Sequence, residues 1–429
     1  MSKEKILNLA EEYYNEHFKI KETGDRVPVS DKIFDAQEIK NAIEAVLDGW
    51  WTAGRWTKEF EKKLSEFFEV KHVMPVNSGS SANLLAMAAL ASPHIEEDRR
   101  IKPGDEVLTV ACGFPTTVNP IIQIGAIPVF VDVELGTYNA DVDALEKAIT
   151  PKTKAIILAH TLGNPFNLKR IKELCDEHKL WLIEDNCDAF GSTYDGKLTG
   201  TIGDVGTSSF YPAHHITAAE GGAVYTNNNM IAKIVHRMRD WGRDCWCSTG
   251  MRDGCGDRYG FKLGELPEGF DHRYIFTELG YNLKITDLQA AIGVAQLDKV
   301  QSFISKRQEN FDFITEELKE VSDKLILPQA TENSNPSWFG YPITLNDSSK
   351  KRVDLLRHLN KNGVDTRLLF SGNIVRQPYF IDNKFEHRIV GSLENSDRIM
   401  RDTFWFGVSP GLTKEHIKKI TGLIKEFVE

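Results

Sequence analysis

The sequence predicts an α/β protein with a mainly parallel central sheet covered by helices, and a smaller C-terminal α+β domain. Three observations carry this expectation. The chain has 429 residues, which at ~100–200 residues per domain calls for two or more structural units. From about residue 72 to 240, short apolar, β-branched runs alternate with amphipathic helical patterns, as in sheets whose two faces are both covered. The last hundred or so residues then mix strand and helix patterns.

Taken in order, residues 1–70 read as a helical segment. FDAQEIKNAIEAVLDGW (34–50) and TKEFEKKLSEFFEV (57–70) place apolar residues at helical spacing. A large domain over 71–325 follows, with strands at EVLTVAC (106–112), IPVFVDV (127–133), KAIILAH (154–160), LWLIEDN (180–186), GTSSFY (206–211) and AVYTN (223–227). Helical patterns fall between the first four of these, so binding residues belong at the carboxyl ends of the strands. Residues 243–273, rich in Gly, Asp and Arg and carrying three cysteines, read as an irregular insertion. A long helical segment spans 286–318. The small domain, 326–429, has a strand at SWFGYPITL (337–345) and helices at 350–363 and 413–428.

Hydrophobic residues make up 41% and charged residues 27%, which excludes a disordered or fibrous chain. The net charge of −10 excludes a protein-wide positive field for nucleic acid, so an anionic ligand needs local donors. The N-terminal stretch lacks a signal-peptide core, and no run of 18 uncharged apolar residues occurs. The expectation is a cytoplasmic protein without a membrane span. Six cysteines are too few for a disulfide scaffold.

Four features carry chemistry. NSGSSANLLAMAAL (77–90) sets a Gly/Ser turn before an apolar helix, and free N–H groups at a helix start bind phosphate. LWLIEDNCDAFGS (180–192) ends an apolar strand on Asp185, where a carboxylate can hold a pyridinium N–H. GFPTTVNP (113–120) puts Phe114 just after another strand, where it can lie on a flat ring. TSSFYPAHHITAAEGGAVYT (207–226) runs from Ser209 into His214–His215 and a Gly pair. Alone, the first three have plainer readings: a Ser cap, a turn-capping Asp, a packed Phe.

In this order the four features resemble the sugar aminotransferase branch of the pyridoxal phosphate (PLP) enzymes, and GYNLKITDLQAA (280–291) continues the match. The resemblance implies the aspartate aminotransferase-like architecture, fold type I. One departure narrows it. Those aminotransferases hold the cofactor on a lysine, whereas SFYPAHH places His214 there, and no lysine occurs from 198 to 232. Histidine cannot form the imine but can take and return a proton near neutral pH. The resemblance is therefore to the pyridoxamine phosphate (PMP)-dependent sugar 3-dehydrases, of which one kind is metal-free and uses glutamate, and the other carries a [2Fe–2S] cluster fed by a flavin reductase.

The cysteines bear on that choice. Cys245, Cys247 and Cys255 crowd the insertion, and Cys187 lies two residues past Asp185. By residue type alone, four thiolates suit zinc or an iron–sulfur centre. The pattern resembles the CDP-4-keto-6-deoxyglucose-3-dehydrase kind, which implies that these four hold a [2Fe–2S] cluster. Cys112 and Cys175 match nothing, and Cys175 reads as the buried face of a helix.

The same resemblance implies the remaining roles. His214 is the base, with His215 a candidate orienter. Asp185 pairs with the pyridine nitrogen and Phe114 covers the ring. Gly79, Ser80 and Ser209 hold the phosphate, Asp188 sits near the cofactor oxygen, and Asn282 comes from the second subunit of a homodimer. Arg376 and Trp338 are candidates for the sugar-nucleotide side. The implied reaction is C3 deoxygenation of a CDP-4-keto-6-deoxyhexose toward 3,6-dideoxyhexoses of a surface polysaccharide. Electrons would come from a separate NADH-dependent flavin reductase, because the chain has no GxGxxG fingerprint of its own. The competing readings are a TDP- or GDP-linked substrate, a plain aminotransferase, the metal-free dehydrase, and a zinc-stabilised scaffold without activity.

Overall fold

The computed structural model describes residues 1–18, 26–31, 33–247 and 254–429. Among the described residues, eleven strands make up the two sheets that position the site: β1 His72–Val76, β2 Glu106–Val110, β3 Ile127–Val131, β4 Thr153–Ala159, β5 Trp181–Asp185, β6 Val205–Ser209, β7 Gly222–Thr226, β8 Leu325–Ile326, β9 Gly340–Leu345, β10 Arg388–Ile389 and β11 Thr403–Gly407. The large sheet has the order β1-β7-β6-β5-β4-β2-β3-β10. Only β7 runs against the rest, pairing antiparallel with both β1 and β6. A smaller antiparallel sheet, β8-β9-β11, lies in the C-terminal part.

Strand residues alternate between two cores, as period-two side chains must. Leu108, Ile156, Leu158 and Leu182 pack on one face of the large sheet. Val107, Ala155, Ile157, Ile183 and Val205 pack on the other, beneath the helix Gly79–Leu90. That helix is apolar almost all round, because sheet and neighbouring helices enclose it. A third core joins β9 and β11 to the helices Val300–Leu318 and Lys414–Val428.

Three local results differ from the sequence pattern. Strand β1 was not singled out, being short and carrying Pro75; it completes the sheet edge and delivers the chain to Gly79. The helix expected over 286–318 divides into Asp287–Leu297 and Val300–Leu318. At the break, Lys299 Nζ is tied to Glu38 (2.7 Å) and Asp35 (3.2 Å) of the N-terminal segment. Strand β10, from the C-terminal part, pairs parallel with β3 of the large sheet. Arg388 fastens it through paired bonds to Glu106 (2.8 and 2.9 Å).

Within the insertion, residues 248–253 lie outside the described residues, and among the others the only regular element is the turn His272–Tyr274. His272 stacks on Phe261 at 3.8 Å and bonds to Asp244 at 2.8 Å. Among the described residues, no helix is long and apolar enough to cross a membrane.

Candidate active site

The site forms where β4, β5, β6 and the start of the Gly79–Leu90 helix converge. Parallel pairing sets Ala159, Asp185 and Thr207 side by side. Asp185 Oδ2 accepts from Asn83 Nδ2 and Thr117 Oγ1, both at 2.7 Å, and Oδ1 from the Cys187 amide at 3.2 Å. Asn83 is held in turn by Thr207 Oγ1 at 2.6 Å. Asn83 and Thr117 were not picked out from the sequence. The signal for Asn83 was its spacing, one helical turn after Gly79 and therefore on the same face.

Below this layer, Glu184 is fully buried and accepts from the Gly200 (2.7 Å) and Ile202 (2.8 Å) amides, with His160 Nε2 at 3.0 Å. It braces the floor of the site and faces away from it, as alternation after Asp185 requires.

Ser78 caps the helix by accepting from the Ser81 amide at 3.1 Å. The first-turn amides at Gly79 and Ser80 then have no intrahelical partners. A Cβ at Gly79 would lie 2.5 Å from Ser209 Cβ and 3.0 Å from Cys187 Sγ, so only glycine fits between them. A Cβ at Gly222 would fall on the Ser78 carbonyl and the Gly79 amide. That close approach explains the Gly pair at 221–222. Phe114 ends the loop after β2 as the cap of the helix Pro115–Gln123, half-exposed at the mouth. The residues therefore supply an anion cradle, an anchored carboxylate and an uncovered aromatic face, and these fit a phosphorylated pyridine.

His214 closes a turn by donating its amide to Tyr211 O at 2.9 Å. Its ring lies 5.1 Å from that of Phe339. Nδ1 is 3.5 Å from Asp188 Oδ1, and both His214 Nδ1 and Asp188 Oδ2 lack hydrogen-bond partners. Such orphaned buried atoms, facing the Asp185 carboxylate, are further evidence of a site built for a ligand. Burial pushes His214 down to about 4, helped by Arg307 and opposed by Asp185. Burial and the Asp185 charge push Asp188 up to about 8. The imidazole is thus neutral, and able to accept a proton, at neutral pH.

His215 turns the other way and bonds Ser337 O at 2.7 Å, which makes it a brace for the chain around Phe339. Arg307, unnoticed in the sequence, is buried and donates to the Trp338 and Phe339 carbonyls (3.1 and 3.4 Å). With Asp31, Phe34, Glu38 and Gln296 it lines a 410 Å³ cavity that reaches both histidines.

Other sequence candidates stand apart from this cluster. Trp338, in the lead into β9, is a core side chain, stacked on Phe311 at 3.8 Å. Arg376 is exposed and paired with Asp397 at 3.1 Å. Asn282 is exposed; its neighbours in the chain are Lys284 (3.0 Å) and the bridge partner Asp240. Cys175 lies on the buried face of its helix, with its thiol pushed up to about 12 by burial.

The four expected metal ligands are not gathered within one chain. Cys187 sits at the end of β5 against Gly79, Asp185 and Ser209. Cys245, Cys247 and Cys255 belong to the insertion. There, burial opposes ionisation of Cys247, but hydrogen bonds with Cys245, with the Cys255 and Gly254 backbone and with the Cys255 thiol hold it below the usual thiol range. Among the described residues, no group of three His, Cys, Asp or Glu side chains is arranged to hold a metal.

This architecture and site define a fold-type I, PLP-type enzyme. Residues 33–425 match the DegT/DnrJ/EryC1/StrS aminotransferase family, and the chain belongs to it. Among its relatives is a lipopolysaccharide biosynthesis protein RfbH from Salmonella typhimurium, 54% identical over 99% of this chain and 98% of that one. Another is a dTDP-4-dehydro-2,6-dideoxy-D-glucose 3-dehydratase from Saccharopolyspora spinosa, 48% identical over 100% of this chain and 92% of that one. Among solved structures, the chain is similar to an E. coli GDP-4-keto-6-deoxy-D-mannose-3-dehydratase with bound hydrated PLP. The TM-score is 0.83 at 29% identity, covering 92% of this chain and 98% of that one.

Proposed function

We propose that the chain is a PMP-dependent sugar-nucleotide 3-dehydrase that removes the C3 hydroxyl of a CDP-4-keto-6-deoxyhexose, toward 3,6-dideoxyhexoses of a surface polysaccharide. The observation that carries this is a buried, neutral imidazole, His214, where aminotransferases keep their lysine. The names of the relatives, among them dTDP- and GDP-linked sugar 3-dehydratases, support the reaction class.

When bound, PMP supplies the amine that joins the C4 ketone and the electron sink that lets the C3 hydroxyl leave. Asp185 would hold the pyridine N–H, and Phe114 would cover the ring. The Gly79 and Ser80 amides and the Ser209 hydroxyl would bind the phosphate, joined by Asn282 of the partner subunit in a homodimer. Asp188 would stand beside the cofactor oxygen. His214 would take a proton at the C4′ carbon and return one there. Holding these groups in fixed positions is the larger part of what the protein contributes.

The three cysteines of the insertion, together with Cys187, favour the cluster-containing kind. In this reading they hold a [2Fe–2S] cluster supplied with electrons by an NADH-dependent flavin reductase. The test is exchange of the C4′ hydrogen of PMP in deuterated water, with CDP-, dTDP- and GDP-linked 4-keto-6-deoxysugars offered in turn. Exchange with the CDP sugar preferred is expected. Preference for the dTDP sugar would move the substrate assignment toward the Saccharopolyspora relative, and no exchange with any would leave the scaffold reading. Iron and acid-labile sulfide near two each per chain are expected on anaerobic purification, whereas zinc alone would remove the electron-transfer part.

A further inference from the structure

We propose that the metal centre is completed only between two copies of the chain, by Cys245, Cys247 and Cys255 of one subunit and Cys187 of the partner subunit. This rests on the cluster reading above.

The first observation is the split itself. A four-thiolate centre needs four convergent sulfurs. Cys187 has Gly79, Asp185, Asp188 and Ser209 as neighbours, and Cys247 has Cys245, Cys255 and Gly254. Neither group contains the other. The insertion is thus one thiolate short, while Cys187, partly buried beside Gly79 and Asp185, stands outside it.

The second observation is how the cysteine-bearing loop is held. Its stem, 240–244, travels with 275–282 through the bridges Asp240–Asn282 and Arg243–Phe276 and the bond from the Asp244 amide to Ile275 O (2.8 Å). That pair is clamped to the body of the protein. The Glu278 carboxylate is fully buried and receives Ser92 Oγ at 2.9 Å and His94 Nδ1 at 2.8 Å. Yet Leu279 beside it is 85% exposed, and Trp246, Tyr274 and Phe276 are each more than half exposed. A segment anchored so firmly does not carry large apolar side chains outward by slackness; they form a face awaiting a partner.

The third observation is apolar exposure beside the site itself, where Tyr211 lies against His214 and Phe114 against Phe370. Phe114, Tyr211 and Leu368 are each about half-exposed. In a two-fold dimer, a loop on one subunit that meets the mouth of the other does so twice, which gives two equivalent centres. A second copy is therefore the occupant that covers both faces and also supplies the missing thiolate.

The experiment uses two full-length variants with different affinity tags, Cys187→Ser and Cys247→Ser. They are co-expressed, and the doubly tagged heterodimer is purified anaerobically. Iron, acid-labile sulfide and visible absorption are measured, with PMP binding and melting temperature confirming that each variant is folded. Ligation between subunits leaves one intact set, so the heterodimer should carry half the wild-type iron and sulfide while both homodimers carry none. An iron-free heterodimer means ligation within each chain and overturns the proposal. A Cys187→Ser homodimer that keeps its full cluster also overturns it, by removing Cys187 from the set. Iron-free wild-type protein is a different failure: it sinks the cluster reading itself, and this proposal with it.

Discussion

His214 Nδ1 stands 3.5 Å from Asp188 Oδ1, and among the described residues neither that nitrogen nor Asp188 Oδ2 has a hydrogen-bond partner. The site therefore holds a neutral base and a carboxyl with raised proton affinity side by side.

That pairing fixes a stability profile for the cofactor-free protein. Burial lowers His214 and His236 to about 4 and His215 well below its usual 6.5. From about pH 4 to 6.5 the unfolded chain binds protons that these folded histidines refuse, so stability rises with pH. Asp188 works in the opposite direction. Its folded value of about 8, against 3.8, means that its contribution is lost as pH rises toward 8. Melting temperatures at pH 5, 6.5 and 8 should peak at the middle value, and Asp188→Asn should flatten the decline above it. An unchanged decline in that variant would remove Asp188 as its cause.

His214→Asn should lower C4′ exchange by roughly 10²–10⁴-fold, the usual range for a positioned base, while PMP still binds. Retained exchange would transfer the role to another group. Cluster iron should be unaffected.

Asn83→Ala leaves Asp185 Oδ2 with only Thr117 as partner. A lost bond to a buried carboxylate costs about 1–3 kcal/mol. PMP titration should show weaker binding by roughly that amount, with C4′ exchange recovered at saturating PMP. Wild-type affinity would mean that Asp185 needs no such support.

Gly79→Ala should abolish PMP binding, because the new methyl group meets Ser209 Cβ at 2.5 Å at the cradle. Equilibrium dialysis with PMP reads this directly. Binding at wild-type strength would place the phosphate elsewhere.

Arg388→Met should reduce stability by about 1–3 kcal/mol, since Glu106 keeps only the Thr150 (2.7 Å) and Thr153 (3.4 Å) hydroxyls. Urea unfolding measures it, and a neutral result would show that β10 is held by packing alone.

Much of this molecule was legible in its sequence. The β4 and β5 runs are apolar on both faces because both faces are covered, and that pattern survives in one dimension. Asp185, Ser209 and His214 were legible because the first two end apolar strands and the third follows one by five residues. Arg307 and Phe339 were not. They reach His214 from the Val300–Leu318 helix and the lead into β9, through contacts that no local pattern announces. Trp338 and Phe339 are adjacent in sequence, but one faces the core and the other the histidine, and only register decides which. Likewise, cysteine spacing shows which thiols exist but not which chain each one serves.

Strand β10 also has a consequence for synthesis. Arg388 and its partner Glu106 are 282 residues apart. At ~5–20 residues per second, a ribosome needs roughly 15–55 s to bridge that gap. During that interval the outer edge of β3 has no neighbour and is open to any strand nearby. Until nearly the whole chain has emerged, that edge is a template for pairing with other chains.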